Sequence, residues 1–152
     1  MKVIYVCNRG GHYSQMLSLQ GLISKTGSVI ISDKPNASKD FGDDVTCYYM
    51  GAFNYKKWRL IHFIKNILQS IKIILQFKPS HIITTGAGIA VPVFAVGKLF
   101  RCNLIYIETR ARVYSKSATG KILGKLADHI IVQWPEMVDV YDGKASYFGT
   151  II

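Results

Sequence analysis

Residues 2–12, Lys-Val-Ile-Tyr-Val-Cys-Asn-Arg-Gly-Gly-His, open the chain with a short apolar run that ends at a glycine-rich turn. The apolar run over 2–7 predicts a buried strand, and residues 8–11 predict the turn that follows it. Apolar residues then recur at helical spacing from about His12 to Lys25. A strand, a tight turn and a helix in this order form the first half of a βαβ unit, which favours a parallel sheet.

The same alternation continues to the end of the chain. A polar loop is predicted over 33–44. Further strands are predicted over 29–32, 45–50, 81–84, 103–108, 129–132 and 145–148, and further helices over 56–77, from 89 to Phe100, over 119–127 and from Pro135. Strands separated by helices predict an α/β fold, a Rossmann-like doubly wound parallel sheet that forms a single domain over residues 1–152.

Composition and motifs exclude several classes of protein. The chain has 152 residues, of which 49% are hydrophobic and 18% charged, so it suits one globular domain and not a disordered chain. Its three cysteines and four histidines show no metal-ligand spacing, and we expect neither a metal nor a bound cofactor. The first strand is not a signal peptide. The uncharged run 79–97 contains a glycine turn and Pro92, so it predicts strand, turn and buried helix instead of a transmembrane helix.

The positive charge lies in the middle of the chain. The sequence has 19 Lys and Arg against 9 Asp and Glu, a formal net charge of +10. Residues 45–127 hold 13 of the basic residues and a single acid, Glu108. This excess favours an anionic partner, either a nucleic acid, a membrane surface or a phosphorylated substrate. No nucleic-acid-binding motif accompanies the charge, so we expect no nucleic-acid partner.

Two glycine-rich turns after predicted strands form the first candidate site. The first turn consists of Asn8, Arg9, Gly10, Gly11 and His12, and the second contains Gly86, Ala87 and Gly88. Ligands of doubly wound sheets bind where strands end and helices begin, and glycines let the backbone approach a phosphate closely. His12 is a candidate general base or phosphate ligand. The alternative is a turn that needs glycine only for its own geometry.

Glu108 and the two arginines that follow it form the second candidate site. Glu108 ends the predicted fifth strand, and Arg110 and Arg112 lie in the loop after it. A lone carboxylate among so many cations is expected to pair with these arginines, as a loop salt bridge of small energetic weight. The functional alternative is a carboxylate that orients a sugar hydroxyl while the arginines hold a phosphate.

The predicted helix at 56–77 combines apolar and basic residues and contains no acid. Apolar residues from Ile61 to Leu75 recur at helical spacing opposite a polar face. Such a helix suits an anionic bilayer surface, although an ordinary crossover helix with a basic outer face remains the alternative. The residues expected to contact lipid are Lys56, Lys57, Trp58, Arg59, Lys65 and Lys72.

Several of these motifs together resemble a known family. Gly10-Gly11-His12, Thr85-Gly86-Ala87-Gly88, Glu108 with Arg112-Val113, Thr119-Gly120-Lys121 and Val132-Gln133-Trp134-Pro135-Glu136 occur in the order found in the anchoring subunit of the two-part N-acetylglucosaminyltransferase of the dolichol pathway. The chain is similar also to the bacterial capsule and exopolysaccharide counterparts of that subunit. The resemblance covers nearly the whole sequence.

The resemblance implies the N-terminal half of a GT-B glycosyltransferase. A separate partner subunit would supply the C-terminal half and hold the UDP-sugar, and the acceptor would be a saccharide linked to polyprenyl pyrophosphate. His12 and Glu108 would be the candidate catalytic residues, and the two glycine turns would contact the acceptor. The implied partner interface consists of Gln133, Trp134, Glu136, Tyr147, Phe148, Ile151 and Ile152.

The expected location is the cytoplasmic face of the plasma membrane. Unlike the eukaryotic members, the sequence has no membrane helix before its first strand, so peripheral anchoring is expected from the basic helix at 56–77. A subunit that only recruits its catalytic partner to the membrane is the alternative to one that contributes catalytic groups.

Overall fold

A seven-stranded parallel sheet forms the centre of the protein, with the strand order β3-β2-β1-β4-β5-β6-β7. The structure is a computed structural model that describes residues 1–35, 37–42, 45–51 and 59–151. Its strands are β1 (Lys2–Cys7), β2 (Gly27–Ser32), β3 (Thr46–Tyr49), β4 (His81–Thr84), β5 (Asn103–Ile107), β6 (His129–Val132) and β7 (Ala145–Tyr147). Its helices are α1 (Gly11–Leu17), α2 (Gln20–Ile23), α3 (Ser38–Phe41), α4 (Arg59–Phe77), α5 (Ala90–Leu99), α6 (Gly120–Leu126) and α7 (Glu136–Val140). The predicted fold class is confirmed.

Alternate residues of the central strand β1 face opposite layers of helices. Ile4 and Val6 belong to a core cluster with residues of α4, α5, α6 and α7. Val3, Tyr5 and Cys7 belong to a second cluster with residues of α1, α2 and α3. Both faces of the strand are therefore buried, which explains why its sequence is apolar throughout instead of alternating with polar residues.

The order of the strands reverses at β1. This strand pairs in parallel with β2 on one side and with β4 on the other. In a doubly wound sheet such a reversal opens a crevice at the carboxyl ends of the two strands, because the connections leave in opposite directions. The turns after β1 and β4 are the two glycine-rich turns of the sequence, so both flank this crevice.

The first predicted helix is interrupted, which corrects the expectation of one helix over 12–25. It divides into α1 and α2 at Ser18 and Leu19. The Ser18 hydroxyl donates to the carbonyl of Ser14 at 3.3 Å, and the amide of Leu19 bonds to Met16, one residue nearer than in an α-helix. Serine hydroxyls that compete for helix carbonyls favour such breaks.

Other boundaries differ from the sequence expectations as well, most of them by one or two residues. A short helix, α3, lies within the predicted polar loop at 33–44. Strand β2 begins two residues before the predicted Val29, and β5 ends one residue before Glu108. The uncharged run 79–97 forms β4, the glycine turn and most of α5, as predicted, and most of α5 is buried. Of the predicted helix 56–77, residues 56–58 lie outside the described residues.

Candidate functional site

The two glycine turns meet through His12 and Thr85. The His12 ring atom Nδ1 lies 2.8 Å from the carbonyl oxygen of Thr85, and the Thr85 hydroxyl donates to the carbonyl of His12 at 2.8 Å. These reciprocal bonds join the start of α1 to the turn after β4, across 73 residues of sequence. The sequence predicted that the two turns share one crevice, and their direct contact fixes the position of the imidazole in it.

Gly86 is required where the two turns touch. Its φ is +94 degrees, and Gly10 in the first turn has a similar positive φ of +88 degrees. A Cβ on Gly86 would lie 3.0 Å from His12 Cε1, closer than most packed side chains allow. Glycine at this position therefore serves both the left-handed backbone and the close approach of the histidine ring.

The bond to Thr85 selects the tautomer of His12. Since a carbonyl oxygen can only accept, Nδ1 carries the proton in this bond. In the neutral imidazole Nε2 then holds the lone pair, and it is the atom able to take a proton from a ligand. His12 is half-buried, so the ring is held by the protein and still reaches solvent. The arrangement suits a general base.

Arg9 and Asn8 have different surroundings in the first turn. Arg9 Nε lies 3.3 Å from Asp33 Oδ2, and its Nη2 donates to the Asp33 carbonyl at 3.0 Å. The backbone amide of Arg9 also donates to this buried carboxylate, so Arg9 primarily ties the turn to the end of β2. In contrast, the buried Oδ1 of Asn8 has no hydrogen-bond partner among the residues that the structure describes. Asn8 thus offers an acceptor beside the glycine turn.

Glu108 is buried and satisfied by neutral donors, which corrects the expectation that it pairs with Arg110 or Arg112. Only 1% of the surface of Glu108 is exposed. Oε1 accepts the Tyr106 hydroxyl at 2.7 Å and the Thr109 amide at 2.9 Å. Oε2 accepts the Tyr141 hydroxyl at 2.6 Å and the Ser117 amide at 3.1 Å. Four donors occupy the carboxylate, so it holds the surrounding chain in place, and its candidate catalytic role stays a prediction.

The two tyrosines beside Glu108 remain protonated. Burial and the neighbouring carboxylate raise the pKa of the Tyr106 and Tyr141 hydroxyls well above the usual value. Both therefore act as hydrogen-bond donors to Glu108 at neutral pH. The Gly120 backbone passes so close that a Cβ there would collide with Glu108 Oε2 and the Tyr141 hydroxyl. Glycine at the start of α6 makes room for this buried cluster.

Arg110 and Arg112 lie exposed on the loop that Glu108 holds. The carbonyl of Arg110 accepts the Trp134 indole N–H at 2.7 Å, and Arg112 Nη1 donates to the Ser115 hydroxyl at 3.3 Å. Neither guanidinium forms an ion pair with a described carboxylate. Both positive charges remain available to an anionic ligand, and that role stays a prediction.

Gln133 connects three segments and is buried, which corrects its assignment to a partner surface. Its Nε2 donates to the Glu108 carbonyl at 2.9 Å and to Gln15 Oε1 at 3.2 Å. Its Oε1 accepts the Ile151 amide at 3.0 Å. The residue is 1% exposed, so its side chain is not free to contact another protein. The motif at 132–136 includes this residue, but the sequence did not predict its hydrogen-bond partners, which lie 18 to 118 positions away.

The other residues of the implied partner interface lie at the surface. Glu136 is exposed and Trp134 is half-buried. Tyr147 ends β7, the last strand at one edge of the sheet, and Phe148 follows with 81% of its surface exposed. Ile151 packs partly against the cluster that contains Met16. Ile152 lies outside the described residues. An exposed aromatic pair beside a sheet edge is compatible with docking of a partner, which remains a prediction.

The outward face of α4 is apolar, and the inward face contains polar residues. Asn66 and Ser70 are buried, where Asn66 Nδ2 donates to the Gly51 carbonyl at 3.0 Å and the Ser70 hydroxyl donates to the Asn66 carbonyl at 2.6 Å. The exposed side chains include Leu60, Ile61, Ile64, Leu68 and Leu75, together with Lys65 and Lys72. The apolar surface of this helix is therefore wider than the part that packs on the sheet.

Helix α4 is also the one described helix that is long and apolar enough to cross a membrane, by length and composition over Leu60–Phe77. Ile73 and Ile74 of the same helix are buried in the core. Lys56, Lys57 and Trp58 lie outside the described residues, and Arg59 begins the helix. How α4 relates to a bilayer stays a prediction.

The cysteines show no features of reactive thiols. Burial raises the pKa of Cys7 to about 12 and that of Cys47 to about 11. Cys102 is buried too, and all three thiols are free. Among the residues that the structure describes, no group of three or more His, Cys, Asp or Glu side chains could hold a metal ion.

A protein-family profile described as "Oligosaccharide biosynthesis protein Alg14 like" matches residues 57–151, more than half of the chain. The chain belongs to the Alg14-like family. The human UDP-N-acetylglucosamine transferase subunit ALG14 is 26% identical over 181 aligned residues, which cover all of this chain and 83% of the human protein. The Saccharomyces cerevisiae subunit of the same name is 24% identical and is covered over 77% of its length.

Solved structures share the Rossmann-like sheet of this Alg14-like chain. MurG from Acinetobacter baumannii superposes with a TM-score of 0.69 at 15% identity, over 89% of this chain and 42% of MurG. The UDP-GlcNAc 2-epimerase from Neisseria meningitidis, bound to UDP-GlcNAc, gives a TM-score of 0.76 at 13% identity over 99% and 47% of the two chains. The Alg14-like chain thus spans less than half the length of these glycosyltransferase and epimerase structures. At such low identities the likeness establishes the fold.

Proposed function

We propose that this protein is the acceptor-binding, membrane-associated subunit of a two-component GT-B glycosyltransferase of bacterial capsule or exopolysaccharide synthesis. Its partner subunit holds a UDP-sugar, and the pair transfers the sugar to an acceptor linked to polyprenyl pyrophosphate. Membership of the Alg14-like family supports the subunit role. The observation that carries the acceptor role is the contact of His12 with Thr85 between the two glycine turns.

The proposed step for His12 is proton abstraction, which the free Nε2 lone pair of the imidazole supports. Nε2 accepts the proton of the acceptor hydroxyl while that oxygen bonds to the anomeric carbon of the donor sugar. The bond from the anomeric carbon to UDP breaks at the same time, and UDP leaves with the electron pair. A base placed opposite the leaving group produces inversion. Asn8 Oδ1, a buried acceptor that no other described residue bonds, suits a second hydroxyl of the acceptor sugar.

Charges around the crevice suit the diphosphates of the reaction. Gly10 and Gly11 of the first turn are exposed, so their backbone N–H groups can face a ligand, whereas the buried Gly86 amide of the second turn donates to the Thr84 hydroxyl. Arg110 and Arg112 provide exposed positive charges on the neighbouring loop. Such groups stabilise diphosphate in a GT-B mechanism without a bound metal or cofactor. Glu108 acts here as a positioning residue, because it holds the loop that carries both arginines.

The outward face of α4 supports peripheral attachment to the cytoplasmic side of an anionic membrane. Five exposed apolar side chains lie next to Lys65 and Lys72, and the helix from Arg59 to Phe77 contains no acid. Apolar burial and charge attraction then act together, since each lysine near an anionic surface contributes on the order of 1 kcal/mol. The core residues Ile73 and Ile74 hold the opposite side of α4 on the sheet, which favours a helix that lies on the membrane.

A subunit that recruits its partner without catalytic groups is the second candidate function. The specific observation in its favour is Glu108, whose two oxygens are fully engaged and shielded. If His12 also fails to contribute, the crevice has no assigned base, and the chain acts only by bringing the catalytic subunit to lipid.

Transfer by the reconstituted pair separates the two functions. The chain and its C-terminal-half partner are mixed with a polyprenyl-pyrophosphate acceptor and UDP-sugars, beginning with UDP-N-acetylglucosamine because the named relatives use it. In a catalytic subunit, His12→Gln lowers kcat by about 10²–10⁴-fold, the range for loss of a general base. His129→Gln, on an exposed strand residue, serves as the control. Undiminished transfer by the His12→Gln and Glu108→Gln variants would contradict the catalytic role and support recruitment.

A further inference from the structure

A cavity of about 440 Å³ lies between α6 and the end of α7, away from the glycine turns. Its charged and aromatic lining consists of Lys116, Lys121, Lys125, Tyr141, Asp142 and Lys144. Four lysines face a single carboxylate, so the cavity is strongly positive. Its volume falls in the range of roughly 300–1,000 Å³ that small-molecule sites occupy.

A repeated Gly-Lys pair on α6 builds one wall of this cavity. Gly120-Lys121 and Gly124-Lys125 are four residues apart, so the two glycines share one face of the helix and the two lysines a neighbouring one. A Cβ on Gly124 would lie 2.8 Å from Tyr141 Cε1. The glycines therefore let Tyr141 pack tightly against α6, and the lysines beside them border the space in front of the ring.

The positive charge of the cavity is not balanced within the described chain. Lys116 Nζ lies 3.7 Å from Asp142 Oδ2 and 4.7 Å from the centre of the Tyr141 ring. None of Lys121, Lys125 and Lys144 forms an ion pair with any described carboxylate. Like charges four residues apart on a helix repel, so Lys121 and Lys125 destabilise α6 unless an anion lies between them.

We propose that this cavity binds a phosphate-bearing anion, at a site separate from the acceptor crevice. Lysine ammonium groups on several sides suit the distributed charge of a phosphate or diphosphate, which needs no fixed planar partner. The Tyr141 ring forms the back of the site, and its hydroxyl reaches Glu108 on the other side. A bound anion would thus contact Tyr141, whose hydroxyl bonds to the carboxylate that holds the arginine loop. The phosphate could belong to a soluble diphosphate or to the headgroup of an anionic lipid.

Binding of two probes to the full chain tests the site and separates these sources. Inorganic pyrophosphate is titrated by calorimetry, and vesicles with or without phosphatidylglycerol are tested by co-sedimentation. The pocket variant is Lys121→Gln with Lys125→Gln. Its charge-matched control is Lys25→Gln with Lys39→Gln, two exposed lysines outside the cavity. Thermal unfolding of both variants verifies that each is folded.

We expect the pocket variant to bind pyrophosphate at least about tenfold more weakly than the wild type, while the control changes by less than about twofold. A loss confined to phosphatidylglycerol vesicles assigns the site to a lipid headgroup, and a loss of pyrophosphate binding assigns it to a soluble diphosphate. The proposal is overturned if the wild type binds neither probe, or if the pocket and control variants lose equal affinity. These measurements require no transfer activity, so they are independent of the proposed glycosyltransferase function.

Discussion

The Tyr141 hydroxyl donates a 2.6 Å hydrogen bond to Oε2 of Glu108, across 33 residues of sequence. The bond joins the residue after α7 to the residue after β5, where the loop with Arg110 and Arg112 begins. A buried carboxylate without a cation is stable only when donors fill its oxygens. Each donor to Glu108 therefore contributes both to stability and to the position of the loop.

Tyr141→Phe is expected to lower the free energy of unfolding by about 1.5–3 kcal/mol, the usual contribution of a hydrogen bond to a charged group. The substitution removes one of four donors and leaves the ring in place. Urea unfolding measures the change. Tyr114→Phe, at a residue 79% exposed, should change stability by less than about 0.5 kcal/mol. Equal effects of the two substitutions would show that the bond to Glu108 adds nothing.

Gly120→Ala is expected to destabilise the protein although alanine favours helices. The added Cβ would collide with Glu108 Oε2 and the Tyr141 hydroxyl, both held by buried hydrogen bonds. Overpacking of this kind costs about 1–3 kcal/mol, measured by urea unfolding. Gly21→Ala, in α2, is the control because its Cβ would meet no atom within 4 Å. That variant should gain about 0.4–1 kcal/mol, and a gain in both variants would contradict the packing at α6.

Gly86→Ala is expected to reduce transfer by the reconstituted pair, about 10²-fold for a displacement near 1 Å. Its Cβ would press on His12 Cε1 from 3.0 Å and shift the imidazole. Gly143→Ala is the matched control, since Gly143 also has a positive φ, of 71 degrees, but open space at its Cβ. Both variants carry backbone strain, so the free energy of unfolding should fall by a similar amount in each. Loss of kcat in Gly86→Ala alone identifies the displaced histidine.

Ile64→Ser with Leu68→Ser is expected to weaken binding to anionic vesicles by roughly tenfold or more, because two exposed apolar side chains no longer enter the lipid. Co-sedimentation measures the change. The control, Leu22→Ser with Ile122→Ser, removes two comparably exposed apolar residues from other surfaces. Lys65→Gln with Lys72→Gln should instead reduce the salt dependence of binding. Equal losses in the first two variants would disprove a specific role for α4.

Stability is expected to fall with alkaline pH. Burial raises the pKa of Cys7 to about 12, and burial with the nearby Glu108 raises the pKa of Tyr106 and Tyr141. In the unfolded chain thiols titrate near about 8.5 and phenols near about 10. The unfolded state therefore releases protons that the folded state retains, and stability declines as the pH rises from about 8.5. Urea unfolding at increasing pH tests this, and Tyr106→Phe should flatten the decline.

Local sequence patterns predicted most of the fold. Apolar runs such as 2–7 and 81–84 predicted strands, and the glycine turns after them predicted a candidate site at the ends of these strands. Both predictions were possible because strand periodicity and turn geometry depend on neighbouring residues. The break between α1 and α2 was missed. The Ser18 hydroxyl bonds to a helix carbonyl, but this bond leaves the spacing of the apolar residues unchanged, and that spacing was the basis of the prediction. Alternation of elements also fixed the parallel sheet, since parallel strands need crossover connections.

The tertiary structure decided what the functional side chains contact. Glu108 was expected to meet Arg110 and Arg112, its neighbours in sequence, yet its donors include Tyr141 from another element. Gln133 marked a motif but proved to be buried between Gln15 and Ile151.

The apolar spacing of α4 was visible in the sequence, but which of its apolar residues face the sheet was not. The sequence by itself determined the order of strands, turns and helices, because those depend on backbone preferences and short-range periodicity. Only the folded chain determined the partners of Glu108, the tautomer of His12 and the outward apolar face of α4, because hydrogen bonds and burial depend on residues brought together from distant positions.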